Sequence, residues 1–144
     1  MSKGRAEKIR GTMSGERDIA TLFANMKAVL REEVFVFVTI ANGRIPDGLT
    51  PQMQFCEPQG MTLIITKEQA EGHHLHYDFA SHMITLDIHS SLEAVGFMAH
   101  ISGKLAEAGI PVNPVAGFYH DHLFVPVDKS KQAMMVLAQI SERR

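Results

Sequence analysis

The stretch VFVFVTI, residues 34–40, constrains this chain more than any other. Every residue is β-branched or aromatic and no polar residue alternates with them, a composition that suits a central strand covered on both faces. Upstream, Ile19, Leu22, Phe23, Met26, Val29 and Leu30 recur at helical spacing and predict a helix over 18–30 with one apolar stripe. Downstream, Asn42-Gly43 and Pro46-Asp47-Gly48 mark turns. Residues 52–56 and 61–66 predict a hairpin closed by Glu57-Pro58-Gln59-Gly60. A turn or two of helix is expected over 67–71. The segment 72–82 has no period and is expected to be a linker with an extended end.

The second half has clearer punctuation. MITLDIH, residues 83–89, alternates strictly, with Met83, Thr85, Asp87 and His89 on one face and Ile84, Leu86 and Ile88 on the other. This predicts a half-buried strand. A helix follows, starting between Ser90 and Val95, where Ser90 and Glu93 have capping-box spacing. Val95, Met98, Ala99, Ser102, Leu105 and Ala106 are expected along one side of it. Gly109 and Pro111 end it. Two strands, 112–118 and 123–127, come next, then a last helix capped by Asp128 with Ala133, Val136, Leu137 and Ile140 on its buried side. Strand, helix, strand, strand, helix is a ferredoxin-like α+β unit one strand short at its end. The first half has helix, strand, strand, strand, short helix, and on this count lacks an opening strand. Two incomplete modules that share one sheet or complete each other are therefore expected, with 83–89 closing the first or opening the second.

Composition narrows the function classes. Fourteen Lys and Arg against sixteen Asp and Glu give a net charge of -2, too balanced for a protein built to grip a phosphate backbone. The locally basic stretch 1–17 is expected to be a polar tail. Cys56 is the sole cysteine, so no disulfide framework or cysteine-rich zinc motif is available, and in its apolar strand context inert packing is expected. The nine methionines are expected to be mostly core filler. No apolar leader and no run of membrane-spanning length is evident, so a cytoplasmic protein without membrane contact is expected.

The stretch GFMAHISGKLAEAGI, residues 96–110, resembles the ACT domain, a small regulatory module that binds amino acids. The typical pattern of that module is a strand, a polar loop, a glycine-opened helix of the type GLLADITGALAEAGI, two strands and a second helix. HSSLEAVG (89–96) and YHDHLFVP (119–126) match recurring segments of small bacterial proteins with two tandem ACT-like modules. The match is specific over 86–126, and EPQGMTLIIT (57–66) extends it over 18–66. Residues 1–17 and GHHLHY (72–77) lie outside it. The resemblance implies an α+β, ferredoxin-like ACT fold with antiparallel sheets and helices on one face. It also implies an N-terminal module over 18–78 and a C-terminal one over 79–144. Where many ACT domains carry an Asp-Arg-Pro-like loop before the helix glycine, this chain has Glu93-Ala94-Val95, so effector selectivity does not carry over.

Two clusters carry the candidate chemistry. His89, Ser90 and Ser91 stand at a strand-to-helix junction, where free helix amides can hold a carboxylate. The serine hydroxyls would add bonds, Leu92 and Phe97 an apolar wall, and Gly96 room for close approach; plain capping by the serines is the alternative. Tyr119, His120, Asp121 and His122 connect two strands. They read first as a turn with satisfied polar groups, then as a ligand or interface contact. A metal site there has only two histidine ligands, too few for zinc, and a third from His73, His74, His76 or His89 is not placed by the sequence. No nucleophile elbow, P-loop or dinucleotide fingerprint occurs. The expectation is a non-enzymatic sensor with no cofactor, binding an amino acid or similar small effector where modules or subunits meet. A homodimer or higher homo-oligomer is expected, as is the absence of a nucleic-acid partner. An adaptor of the same fold without a ligand is the alternative, and a histidine-based metal-binding protein is the third reading.

Overall fold

The computed structural model describes residues 18–142. The VFVFVTI run lies in β1, Ala28–Ile40, near the middle of a six-stranded antiparallel sheet. The other strands are β2 (Met53–Glu57), β3 (Gly60–Thr66), β4 (Asp78–Leu86), β5 (Asn113–Ala116) and β6 (Asp121–Pro126). Their spatial order is β2-β3-β1-β4-β6-β5. The described residues also form the α-helices α1 (Ile19–Asn25), α2 (Lys67–Gly72), α3 (Phe97–Glu107) and α4 (Ser130–Glu142).

This order explains the two incomplete modules. β1 and β4 each serve twice. In the N-terminal module β1 opens and β4 closes, giving the order β2-β3-β1-β4; in the C-terminal module β4 opens and β1 closes, giving β5-β6-β4-β1. The strand missing after α4 is the front of β1, where Ala28, Val29 and Leu30 face Leu86, Thr85 and Ile84. A register shift between Leu30 and Val34 interrupts the pairing with β4, which resumes at Val34, and β3 joins the opposite edge of β1 from Phe35 onward. The N-terminal module therefore does not lack its opening strand. It lacks its first helix, and the connection 41–52 stands in that place.

Alternation along the strands sorts the core onto two faces. On one face Ile84, Leu86, Leu123 and Val125 pack with Leu22 and Met26 of the α1 region, Phe97, Ile101 and Leu105 of α3, and Leu137 and Ile140 of α4. Val36, Val38 and Ile40 continue that face and pack with Leu63, Ile65 and Ala70 of α2. The other face carries Phe35, Ile64, Met83 and Phe124, with Phe37, Phe79, Met53 and Val115 around them, and this cluster draws only on strand residues. Phe35, Phe37 and Phe124 meet edge to face, with ring centroids 5.8 and 5.9 Å apart. The described helices thus pack on one face of the sheet, as the ACT-like reading implies.

Several local expectations need correction. The helix expected over 18–30 ends at Asn25, because Met26 turns extended and 28–30 gain more by pairing with β4 than by continuing an isolated helix. The extended end expected of the segment 72–82 is present and belongs to the sheet, since 78–82 are the first five residues of β4, so the linker proper is shorter than expected. Helix α3 starts at Phe97, later than the capping-box spacing suggests, and buries Phe97, Ile101 and Leu105 rather than Val95, Ala99 and Ala106. Asp128 lies inside a 3-10 turn, Val127–Lys129, and makes no side-chain cap for the last helix. Cys56 is exposed on β2, not packed inside.

Candidate functional site

β4 runs out at Leu86 directly opposite Asp121, where β6 begins. That register brings the loop 87–96 and the turn 117–120 to the same end of the C-terminal module. Two side-chain contacts tie them together. Ser90 Oγ donates to Asp121 Oδ2 at 2.9 Å, and His120 Nε2 lies 3.6 Å from Asp87 Oδ1. The turn closes with the Gly117 amide donating to the His120 carbonyl at 2.9 Å.

Inside the loop, the Ser91 hydroxyl accepts from the Glu93 amide at 3.1 Å. Both serines are 7% exposed, so their hydroxyls shape the loop and are not open to a ligand. The serines do not cap α3. Gly96 holds the N-cap position in the left-handed conformation, φ 86°, and supplies no side-chain oxygen. A non-glycine residue there meets backbone strain and a β-carbon 3.3 Å from Ile19 Cδ1. The α3 N-terminus, with the positive end of its dipole, therefore faces this end of the sheet without a side-chain cap.

His89 lies between the loop and the turn. Its ring centroid is 5.4 Å from that of Tyr119 and 6.4 Å from that of Phe118, and its Nε2 is buried with no hydrogen-bond partner among the described residues. The same loop and turn show water large apolar side chains: Leu92 is 66% exposed and Val95 82% in the loop, Phe118 55% and Tyr119 60% at the turn. Phe97 is different. It is 2% exposed, packs on Phe23 at 5.4 Å between ring centroids, and belongs to the core, so it offers a ligand no wall.

Asp121 and His122 are strand residues, leaving 117–120 as the turn proper. His122 lies on the helix-free face, with its Nδ1 3.0 Å from Thr85 Oγ1. Burial pushes its imidazole below the ordinary value, neighbouring His120 and the Arg31 cation push the same way, and Asp121 opposes them. His120 and His122 do share a face, with ring centroids 6.4 Å apart. Among the described residues, however, no three His, Cys, Asp or Glu side chains gather in a way that could hold a metal ion. The structure thus gathers His89 to Leu92, Gly96 and Tyr119 to Asp121 at one end, and places Phe97 in the core and His122 on the sheet face. Sequence reasoning missed Asp87 and Phe118, and assigned Val95 to the helix. The apolar Val95 and Phe118 beside Gly96 and Gly117, where the chain turns, were the available signal.

Family models for the ACT domain match residues 14–82 and 79–139. The chain belongs to the ACT-domain family. This tandem ACT protein is similar over 83% of its length to a Vibrio cholerae protein of unknown function described as a "possible transport protein". The two are 39% identical, the match spans 93% of the Vibrio chain, and the TM-score is 0.76. An Agrobacterium tumefaciens protein matches at 14% identity over 81% of this chain and 89% of its own, with a TM-score of 0.70. The regulatory subunit of aspartate kinase from Thermus thermophilus matches at 12% identity over 81% and 97%, with a TM-score of 0.61. The last two likenesses speak to the fold alone. No curated protein matches the chain. No helix among the described residues is long and apolar enough to cross a membrane.

Proposed function

We propose that this ACT protein is a non-catalytic sensor that captures a free amino acid between the loop 87–96 and the turn 117–120. The observation that carries this reading is the group Leu92, Val95, Phe118 and Tyr119, all more than half exposed, beside an α3 N-terminus without a side-chain cap. Exposed apolar groups collected on two tethered loops mark a binding surface. Helix amides and dipole attract a carboxylate, and the Asp87 carboxylate, 58% exposed, offers an ammonium its counter-charge. An amino acid with an apolar side chain satisfies all three features. The second wall is then the β5–β6 turn of the same module, not a neighbouring subunit. Binding that draws loop and turn together favours one arrangement of the protein over another, which is the differential affinity a sensor needs.

A thermal-shift screen against the twenty amino acids tests the proposal. A ligand at about 100 times its Kd adds roughly 2.7 kcal/mol. For a chain of this length each kcal/mol moves the Tm by about 2–4 °C, so binding shows as a shift of several degrees. Silence across the set, with a protein partner retained instead, favours the ligand-free adaptor.

A further inference from the structure

The helix layer holds an open slot of about 290 Å³ where α1, α3 and α4 come together. Phe23 of α1, His100 and Lys104 of α3, and Val136, Gln139 and Ile140 of α4 line it. The helical repeat explains the convergence. Residues three and four apart share a face, which groups His100 with Lys104 on α3 and Val136 with Gln139 and Ile140 on α4. The volume lies just below the usual range for ligand sites, about 300–1,000 Å³, so an occupant must be small.

The two sides of the slot differ in chemistry. Ile140 is buried, and Phe23 and Val136 are half-buried against the core. The Phe23 ring stands between Phe97, 5.4 Å away between centroids, and His100, 4.7 Å away, so an aromatic wall is anchored on a core residue. The polar side has donors to spare. The half-buried Lys104 ammonium carries three N–H groups and meets only Glu107 Oε2, at 3.6 Å. The side chains of His100 and Gln139 make no hydrogen bond to any described residue. A neutral imidazole keeps one N–H and an amide two, so both can donate to an oxyanion.

We propose that this slot binds a small aromatic monocarboxylate, with its ring against Phe23 and His100 and its carboxylate on Lys104. Aromatic rings gain from offset or edge contact beyond the area they bury, and the ammonium gives the carboxylate a charge-assisted bond. His100 and Gln139 supply further donors. None of the lining residues is acidic, so a free amino acid would surrender the water around its ammonium without gaining a counter-charge. The slot thus rejects the class of ligand assigned to the loop 87–96. The two sites stand on different residues, and neither assignment depends on the other.

The test uses hydrocinnamate, which is phenylalanine without its amino group, titrated into the isotope-labelled full chain. Its amide shifts should saturate at Phe23, His100, Lys104, Gln139 and Ile140. The uncharged hydrocinnamide should bind about tenfold more weakly or worse, the loss of one charge-assisted bond. Lys104→Met keeps an unbranched stem without the charge and should weaken hydrocinnamate by the same factor. Lys67→Met, an equal loss of charge on α2, should change nothing. Val136→Trp should fill the slot and abolish binding. Shifts that grow without saturating, saturation at 87–96 and 117–120 instead, equal affinity for acid and amide, or a Lys104→Met variant that binds as well as the parent would each overturn the assignment. Circular dichroism checks the fold of each variant, and if Val136→Trp unfolds, the half-exposed Lys104→Met still decides.

Discussion

Replacing Phe97 with alanine separates its structural role from the ligand-wall role that its sequence position suggests. Phe97 opens α3 right after the left-handed Gly96, is 2% exposed, and lies in the cluster with Ile101, Leu105 and Leu137. Phe→Ala at a buried site costs about 3–5 kcal/mol, from lost transfer energy and the cavity left behind. The ring contact with Phe23, 5.4 Å between centroids, adds about 0.5–1.5 kcal/mol to what is forfeited. The first turn of a helix can settle into a cavity more readily than its middle, so the lower half of the range is expected, about 3–4 kcal/mol. At roughly 2–4 °C per kcal/mol this lowers the Tm by about 6–16 °C. Urea unfolding followed by circular dichroism, without amino acids, gives the value directly. Phe97→Leu keeps most of the volume and should cost about 1–1.5 kcal/mol. A loss below about 1 kcal/mol for Phe97→Ala would refute the core placement.

Two further outcomes are expected at the same end of the molecule. Ser90→Ala removes the hydroxyl that donates to Asp121 at 2.9 Å and should cost about 1–2 kcal/mol in the same assay; no loss would show that loop and turn are not tied through this bond. His122 titrates below its ordinary value of 6.5 in the folded protein, chiefly because it is partly buried. The unfolded chain then binds this proton more readily than the folded one, so its contribution is full above pH 6.5 and declines as pH falls from there toward the lower folded value. Thermal melts across that window should show stability falling with acid, and His122→Gln should flatten the slope; an identical slope in the variant would assign the effect to other groups.

The periodicities that are strong in the sequence survive into the structure. VFVFVTI lies in a central strand flanked by other strands, although the described helices cover one of its faces and not both as expected; the hairpin forms around Pro58-Gln59, and Gly109 ends α3 with its amide bonded to Ala106. What the sequence hides is sharing. Val29 and Leu30 have helical spacing with Leu22 and Met26, yet with Ala28 they pair with 84–86 and become a strand, and nothing local encodes that partner. The site shows the same division. Gly96, Ser90 and the YHDH segment stand out because their chemistry is local. The register that brings Asp121 to Ser90, and the burial that takes Phe97 away from the surface, belong to the tertiary structure.

The central claim is capture of an amino acid between the loop 87–96 and the turn 117–120. Titrating labelled protein with each apolar amino acid, and following backbone amide shifts, tests it most directly. The account predicts that one of them saturates and moves the amides of Ser90, Ser91, Phe97, Met98, Tyr119 and Asp121 together. Saturable shifts confined to another part of the molecule, or no shifts with any amino acid, would contradict it.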